Sequence, residues 1–160
     1  MRPVSMRLLA LAMISFALVA LGAGCGGDEN GAFEDEVVAA RDTADSAMAY
    51  IRRPKSTEDL VVRLRTNGER LATASGTIAQ ADAPDDMVEG KVRLATALTA
   101  MSKEMNAAAN SIELVIEGQT PGVGPVETLV FDTWDTVQAA LDELRDAGID
   151  VEPLRPGGGP

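Results

Sequence analysis

Hydrophobic positions recur at helical spacing through most of the chain. Phe33, Val37, Ala40, Ala44, Ala47, Met48 and Ile51 fall on one face of a helix expected over about 33–53, with Glu34, Asp35 and Glu36 in its first turn, where the helix dipole favours negative charge. Arg52 and Arg53 close it and Pro54 stops it. A second stripe, Leu60, Leu64, Asn67, Leu71, Ala74, Ile78 and Ala81, steps by four and three over 57–82. Ser56 is its expected N-cap and Asp59 stands at the capping-box position. The third stripe, Leu94, Leu98, Met101, Met105, Ala108, Ile112 and Val115, predicts a helix over 85–117. Residues 112–117 also alternate in part like a strand, but a lone strand would lack a partner, so the helix is preferred. The fourth, Val130, Trp134, Val137, Leu141 and Leu144, predicts 125–147, with Pro125 in the first turn and Gly148 at the C′ position of a Schellman ending.

Links between these helices are short except at residues 118–125, and short links favour antiparallel neighbours. The expected fold is all-α: an antiparallel up-down-up-down four-helix bundle over 33–149, after a cleaved signal peptide. Residues 150–160, rich in Pro and Gly, are expected to be disordered.

The first 24 residues follow another pattern. Arg2 and Arg7 precede an uncharged run over residues 8–21, short for a membrane span but suited to the apolar region of a secretory signal. Small residues then lead to the chain's one cysteine. Leu21-Gly22-Ala23-Gly24-Cys25 resembles the lipobox of bacterial lipoproteins, with Gly22 where that family usually has a large aliphatic residue. The resemblance covers the leader alone. It implies cleavage between Gly24 and Cys25, diacylglycerol on the Cys25 thiol, and residence on the extracytoplasmic face of the cell membrane. Residues 25–32 would then be the lipidated cysteine and a flexible spacer. Two other readings of the same residues stand beside it: ordinary secretory cleavage after Gly22, leaving an exposed thiol, or an uncleaved anchor helix.

The chain has 160 residues, with 14 Lys+Arg, 25 Asp+Glu and a formal charge of -11. Loss of residues 1–24 removes two arginines and no acid, which takes the charge of the remaining 136 residues to -13. Such a balance argues against nucleic-acid binding. The absence of histidine excludes Ser-His-Asp and Cys-His catalysis and imidazole metal sites, and a single cysteine excludes an internal disulfide.

Five groups of side chains are candidates for chemistry. Asn67 interrupts the second stripe, either as a ligand contact or as a polar residue that fixes register. Met48, Met87, Met101 and Met105 offer soft Cu(I) ligands or, more simply, core filling. Asp82, Asp85, Asp86 and Glu89 suit a weak Ca2+ site or compensation of a helix dipole; no EF-hand pattern accompanies them. Asp132, Asp135, Asp142, Glu143 and Asp146 lie mostly off the fourth stripe and read as a solvated face rather than paired catalytic carboxylates. Arg52, Arg53 and Lys55 form a small basic corner, for lipid phosphates, an acidic partner or the helix end. The glycine-containing loop at 118–125 lacks a phosphate-cradling motif. These patterns imply no cofactor and no catalytic residue. They point to a lipid-anchored envelope module that works by contact, with another envelope protein as its partner. The alternative is a bundle holding a small apolar ligand between its helices.

Overall fold

The computed structural model describes residues 29–118 and 131–155. Four α-helices account for most of them: α1 (Glu29–Ile51), α2 (Thr57–Gln80), α3 (Val88–Ile116) and α4 (Thr133–Asp146), with a 3-10 turn at Asp85–Met87 before α3. No strand occurs among the described residues. The leader with Gly24 and Cys25, the segment 119–130 with Pro125 and Val130, and residues 156–160 lie outside them.

The expected stripes form the core. Phe33, Val37, Ala44, Leu60, Leu64, Leu71, Ile78, Leu94, Leu98, Met101, Met105, Val137, Leu141 and Leu144 are almost wholly buried. Met48, Ala74, Ala108 and Trp134 pack partly buried at its edge. Helix α2 pairs most extensively with α3. Ser75 Oγ donates to the Ala95 carbonyl at 2.6 Å, so the Thr99 hydroxyl, 2.7 Å away, donates to Ser75. Ser102 Oγ donates to the Gly68 carbonyl at 2.7 Å, and Arg65 reaches Asn110 and Glu113. Falling positions on α2 thus meet rising positions on α3. A Cβ on Gly68 would come within 2.8 Å of Asn106 Nδ2, so the missing side chain permits this close approach.

Helix ends depart from expectation where side chains elsewhere satisfy them. Helix α1 begins at Glu29, so residues 29–32 belong to the helix and not to a spacer. It stops at Ile51, before Arg52 and Arg53. The Tyr50 carbonyl, in its last turn, accepts from Arg63 Nη1 at 2.7 Å, and that guanidinium lies 4.5 Å from the Tyr50 ring centroid. Ser56 caps α2 as expected, accepting from the Asp59 N–H at 3.1 Å. In place of the reciprocal capping-box bond, Asp59 Oδ2 accepts the Lys55 N–H at 2.7 Å, one residue before the cap. Helix α3 continues to Ile116 without strand. Helix α4 starts at Thr133, later than the expected 125. Glu104 of α3 supplies its cap: that carboxylate accepts from the N–H groups of Asp132 (3.0 Å) and Thr133 (3.2 Å) and from the Thr133 hydroxyl. A carboxylate there compensates the helix dipole as well as the free N–H groups.

At the other end of α4, Gly148 has φ +109°. The Ile149 N–H bonds to the Leu144 carbonyl and the Gly148 N–H to that of Arg145, both at 3.0 Å, which is the expected Schellman ending. The segment after it corrects the expectation of disorder over 150–155. Ile149, Val151 and Leu154 are buried, and the segment lies as a strap across α1 and α4. Apolar burial and hydrogen bonds from both helices offset the entropy of ordering it.

Candidate functional site

The strap lies in a cleft built from one polar side of α1 and one of α4. Arg41 and Asp45, a helical turn apart on α1, are both buried, with 6% and 7% of their surface exposed. Arg41 Nη2 donates to the Pro153 carbonyl at 2.9 Å, and Asp45 Oδ1 accepts the Arg155 N–H at 3.0 Å. From α4, Gln138 Oε1 accepts the Leu154 N–H and Arg145 Nε donates to the Val151 carbonyl, each at 2.7 Å. Asp142 braces both α4 side chains, accepting from Gln138 Nε2 at 2.8 Å and Arg145 Nη1 at 2.5 Å. Four side chains therefore hold four main-chain groups of the strap, while Val151 and Leu154 enter the apolar core. Charge is near balance around Asp45, whose Oδ2 lies 3.9 Å from Arg41 and 3.6 Å from Arg155. Two buried donors lack acceptors on this side of the molecule, Arg41 Nε and Arg145 Nη2.

A second concavity separates α1 from α2. Small residues line it, with Ala39, Ala40 and Thr43 from α1 and Thr73, Ala74 and Thr77 from α2, and it encloses about 490 Å3. Short side chains leave this space because neither helix projects a large residue into it. Thr43 and Thr73 donate their hydroxyls back to their own helices, to Ala39 and Glu69 carbonyls, so each presents oxygen lone pairs outward. Glu36, Glu69 and Arg70 stand at the rim. The volume is within the range of small-molecule sites, about 300–1,000 Å3, though the lining is less aromatic than most.

The residues singled out from sequence stay dispersed. Asn67 is fully buried, but its partners are on its own helix: Nδ2 donates to the Arg63 carbonyl at 2.9 Å, and Oδ1 accepts from Arg70 at 3.5 Å. Cross-helix register is carried instead by Ser75, Thr99 and Ser102. Met87, Met101 and Met105 are buried in the apolar core and Met48 packs against it. Asp82, Asp85, Asp86 and Glu89 are exposed around the α2–α3 turn. Lys91 donates to the Ala81 carbonyl at 2.9 Å at the end of α2, and Glu89 pairs with Arg93 at 2.5 Å. On α4, Glu143 pairs with Arg93 at 2.9 Å. Asp132, Asp135 and Asp146 are exposed. Arg52, Arg53 and Lys55 are exposed too. No three metal-ligating side chains cluster among the described residues.

Shifted titrations mark helix ends and surface pairs. The Lys55 N–H and then Arg63 hold Asp59 below the usual carboxylate range. Glu58 is lowered by its own N–H and then by the Ser56 hydroxyl. Arg93 is raised further by Glu89, then Glu143. None of these groups belongs to either concavity.

Sequence reasoning missed Arg41, Asp45, Gln138 and Arg145, which lie off the stripes and read as solvent-facing. No described helix is long and apolar enough to cross a membrane. Comparison with known proteins found no matching family model, no matching curated protein and no matching solved structure.

Proposed function

We propose that this chain is a lipid-anchored, non-catalytic helical bundle of the bacterial cell envelope that works by contact with another envelope protein. The observation that carries the reading is the position of Cys25, the chain's one cysteine, shortly after the uncharged run over residues 8–21 and four residues before α1 begins. Diacylglycerol at that thiol gives the two-chain tether that stable anchoring requires. The body is then an up-down-up-down antiparallel bundle. The opposed registers of α2 with α3 support that arrangement, as do those of α3 with α4, where Glu104 meets Thr133 while Arg93 meets Glu143. The non-catalytic reading is supported by the dispersal of the candidate carboxylates among the described residues. The acidic body disfavours nucleic acid as a partner.

Cys25→Ser expressed in a bacterial host tests the anchor. The variant should remain an unprocessed precursor or leave the membrane fraction. A processed Cys25→Ser chain retained in membranes would refute lipid tethering.

A second reading, a small apolar ligand held between helices, is favoured by the groove of about 490 Å3 between α1 and α2. Native mass spectrometry of protein purified from an envelope fraction would reveal such a ligand as added mass. Ala74→Leu should remove that added mass by filling the groove.

A further inference from the structure

We propose that the cleft between α1 and α4 is a peptide-binding site that the chain's own residues 149–155 occupy in cis, and that it accepts a segment of a partner protein with the same chemistry. That chemistry is a non-helical peptide with two apolar side chains three residues apart. In the cis segment these are Val151 and Leu154, both buried.

The grip is on the main chain. Arg41 and Arg145 donate to carbonyls of Pro153 and Val151, and Asp45 and Gln138 accept N–H groups of Arg155 and Leu154. Such contacts are indifferent to side-chain identity, while pockets for alternate residues set specificity. Asp150, Glu152 and Pro153 are exposed, so those positions are free to vary. The cis segment also leaves the cleft incompletely satisfied. Arg41 is more than nine-tenths buried, yet its Nε has no acceptor, and the Glu152 carboxylate stands 3.7 Å from its Nη2 with 82% of that side chain exposed. A ligand that sets a carboxylate or carbonyl against Arg41 Nε would bind more fully than the cis segment does. The segment joins α4 through Gly148, at φ +109°, where glycine's backbone freedom allows the strap to swing out without unwinding α4.

The proposal supplies a partner chemistry for the contact reading and rests on that reading for its use in the cell. Its failure would leave the Cys25 result untouched. The test uses the full chain carrying Val151→Asp and Leu154→Asp, which should expel the strap, and a fluorescent peptide of sequence 148–155 as probe. Anisotropy should show saturable binding to this variant. Binding should be at least tenfold weaker to the unsubstituted chain, whose own segment competes at an effective concentration of about millimolar. Adding Asp45→Ala should weaken it at least tenfold again. A released variant that keeps its helical circular dichroism and binds no peptide, or binds it regardless of Asp45, would overturn the proposal.

Hydrogen exchange on the unsubstituted chain guards against a variant that does not fold. The Leu154 and Arg155 amides should exchange at least 100-fold faster than those of Leu98 and Met101, reporting strap opening without unfolding. Equal protection would mean that the strap is a fixed part of the core and would defeat the proposal.

Discussion

Gly76 and Gly90 both sit in helices, yet an alanine at each should move stability in opposite directions. A Cβ at Gly76 would meet nothing within 4 Å. There alanine gains about 0.5–1 kcal/mol from reduced freedom of the unfolded chain and better helix propensity. At Gly90 the new methyl would lie 2.7 Å from Leu144 Cδ2. Leu144 is wholly buried among core residues, so any shift it makes disturbs the packing around it. Overpacking of about 1–3 kcal/mol outweighs the propensity gain, which is small so near the start of α3. Urea denaturation should show Gly76→Ala stabilised by about 0.5–1 kcal/mol and Gly90→Ala destabilised by about 1 kcal/mol. An unchanged Gly90→Ala midpoint would mean that α3 and α4 separate readily at this crossing.

At the scale of elements, the N-terminus of α2 gives a prediction in pH. Asp59 and Glu58 both titrate below their ordinary values, Asp59 chiefly through the Lys55 N–H and then Arg63, Glu58 through its own N–H and then Ser56. A carboxylate lowered in the folded state contributes stability that is whole above its unfolded pKa, about 4, and is lost as pH falls through the lower folded value. Glu58 is exposed and Asp59 partly so, which leaves the effect modest and screened by salt. Between pH 7 and pH 3 the urea midpoint should fall less for Asp59→Asn than for the unsubstituted chain. An equal fall would assign the acid sensitivity to other carboxylates. The elements themselves were legible because a stripe stepping by three and four leaves little choice but a helix with that face inward. Their ends were less so. Arg63 at the end of α1 and Glu104 at the start of α4 act from other helices, and no local pattern announces a cap that arrives from 13 or 29 residues away. The Schellman ending at Gly148 is the counter-example: its bonds are all local, and it was readable.

The whole molecule divides unequally. Helices α2 and α3 share the largest interface and a ladder of buried hydroxyl contacts, whereas α1 meets α2 along an open groove and is tied to α4 through the strap. That tie was invisible in the sequence. Val151 and Leu154 sit in a Pro- and Gly-rich end with no period, and the Asp45 contact with Arg155 spans 110 residues. On α1, Arg41 and Asp45 fall off the apolar stripe and resemble any solvated pair until the strap covers them. The division implies an order of opening, with α1 and the strap first and α2–α3 last. Asp45→Ala should therefore act locally. It removes one direct hydrogen bond and two ion pairs at 3.6 and 3.9 Å, while Arg41 keeps its pair with Asp42 at 2.7 Å and its bond to the Pro153 carbonyl. Loss of a close buried ion pair destabilises by about 3–5 kcal/mol, but the long separations here place the effect nearer about 1–3 kcal/mol. Hydrogen exchange should show that loss of protection across α1 and residues 149–155, with α2 and α3 amides unchanged. A uniform loss through all four helices would show instead that the clasp stabilises the fold as one cooperative unit, in which α1 cannot open alone.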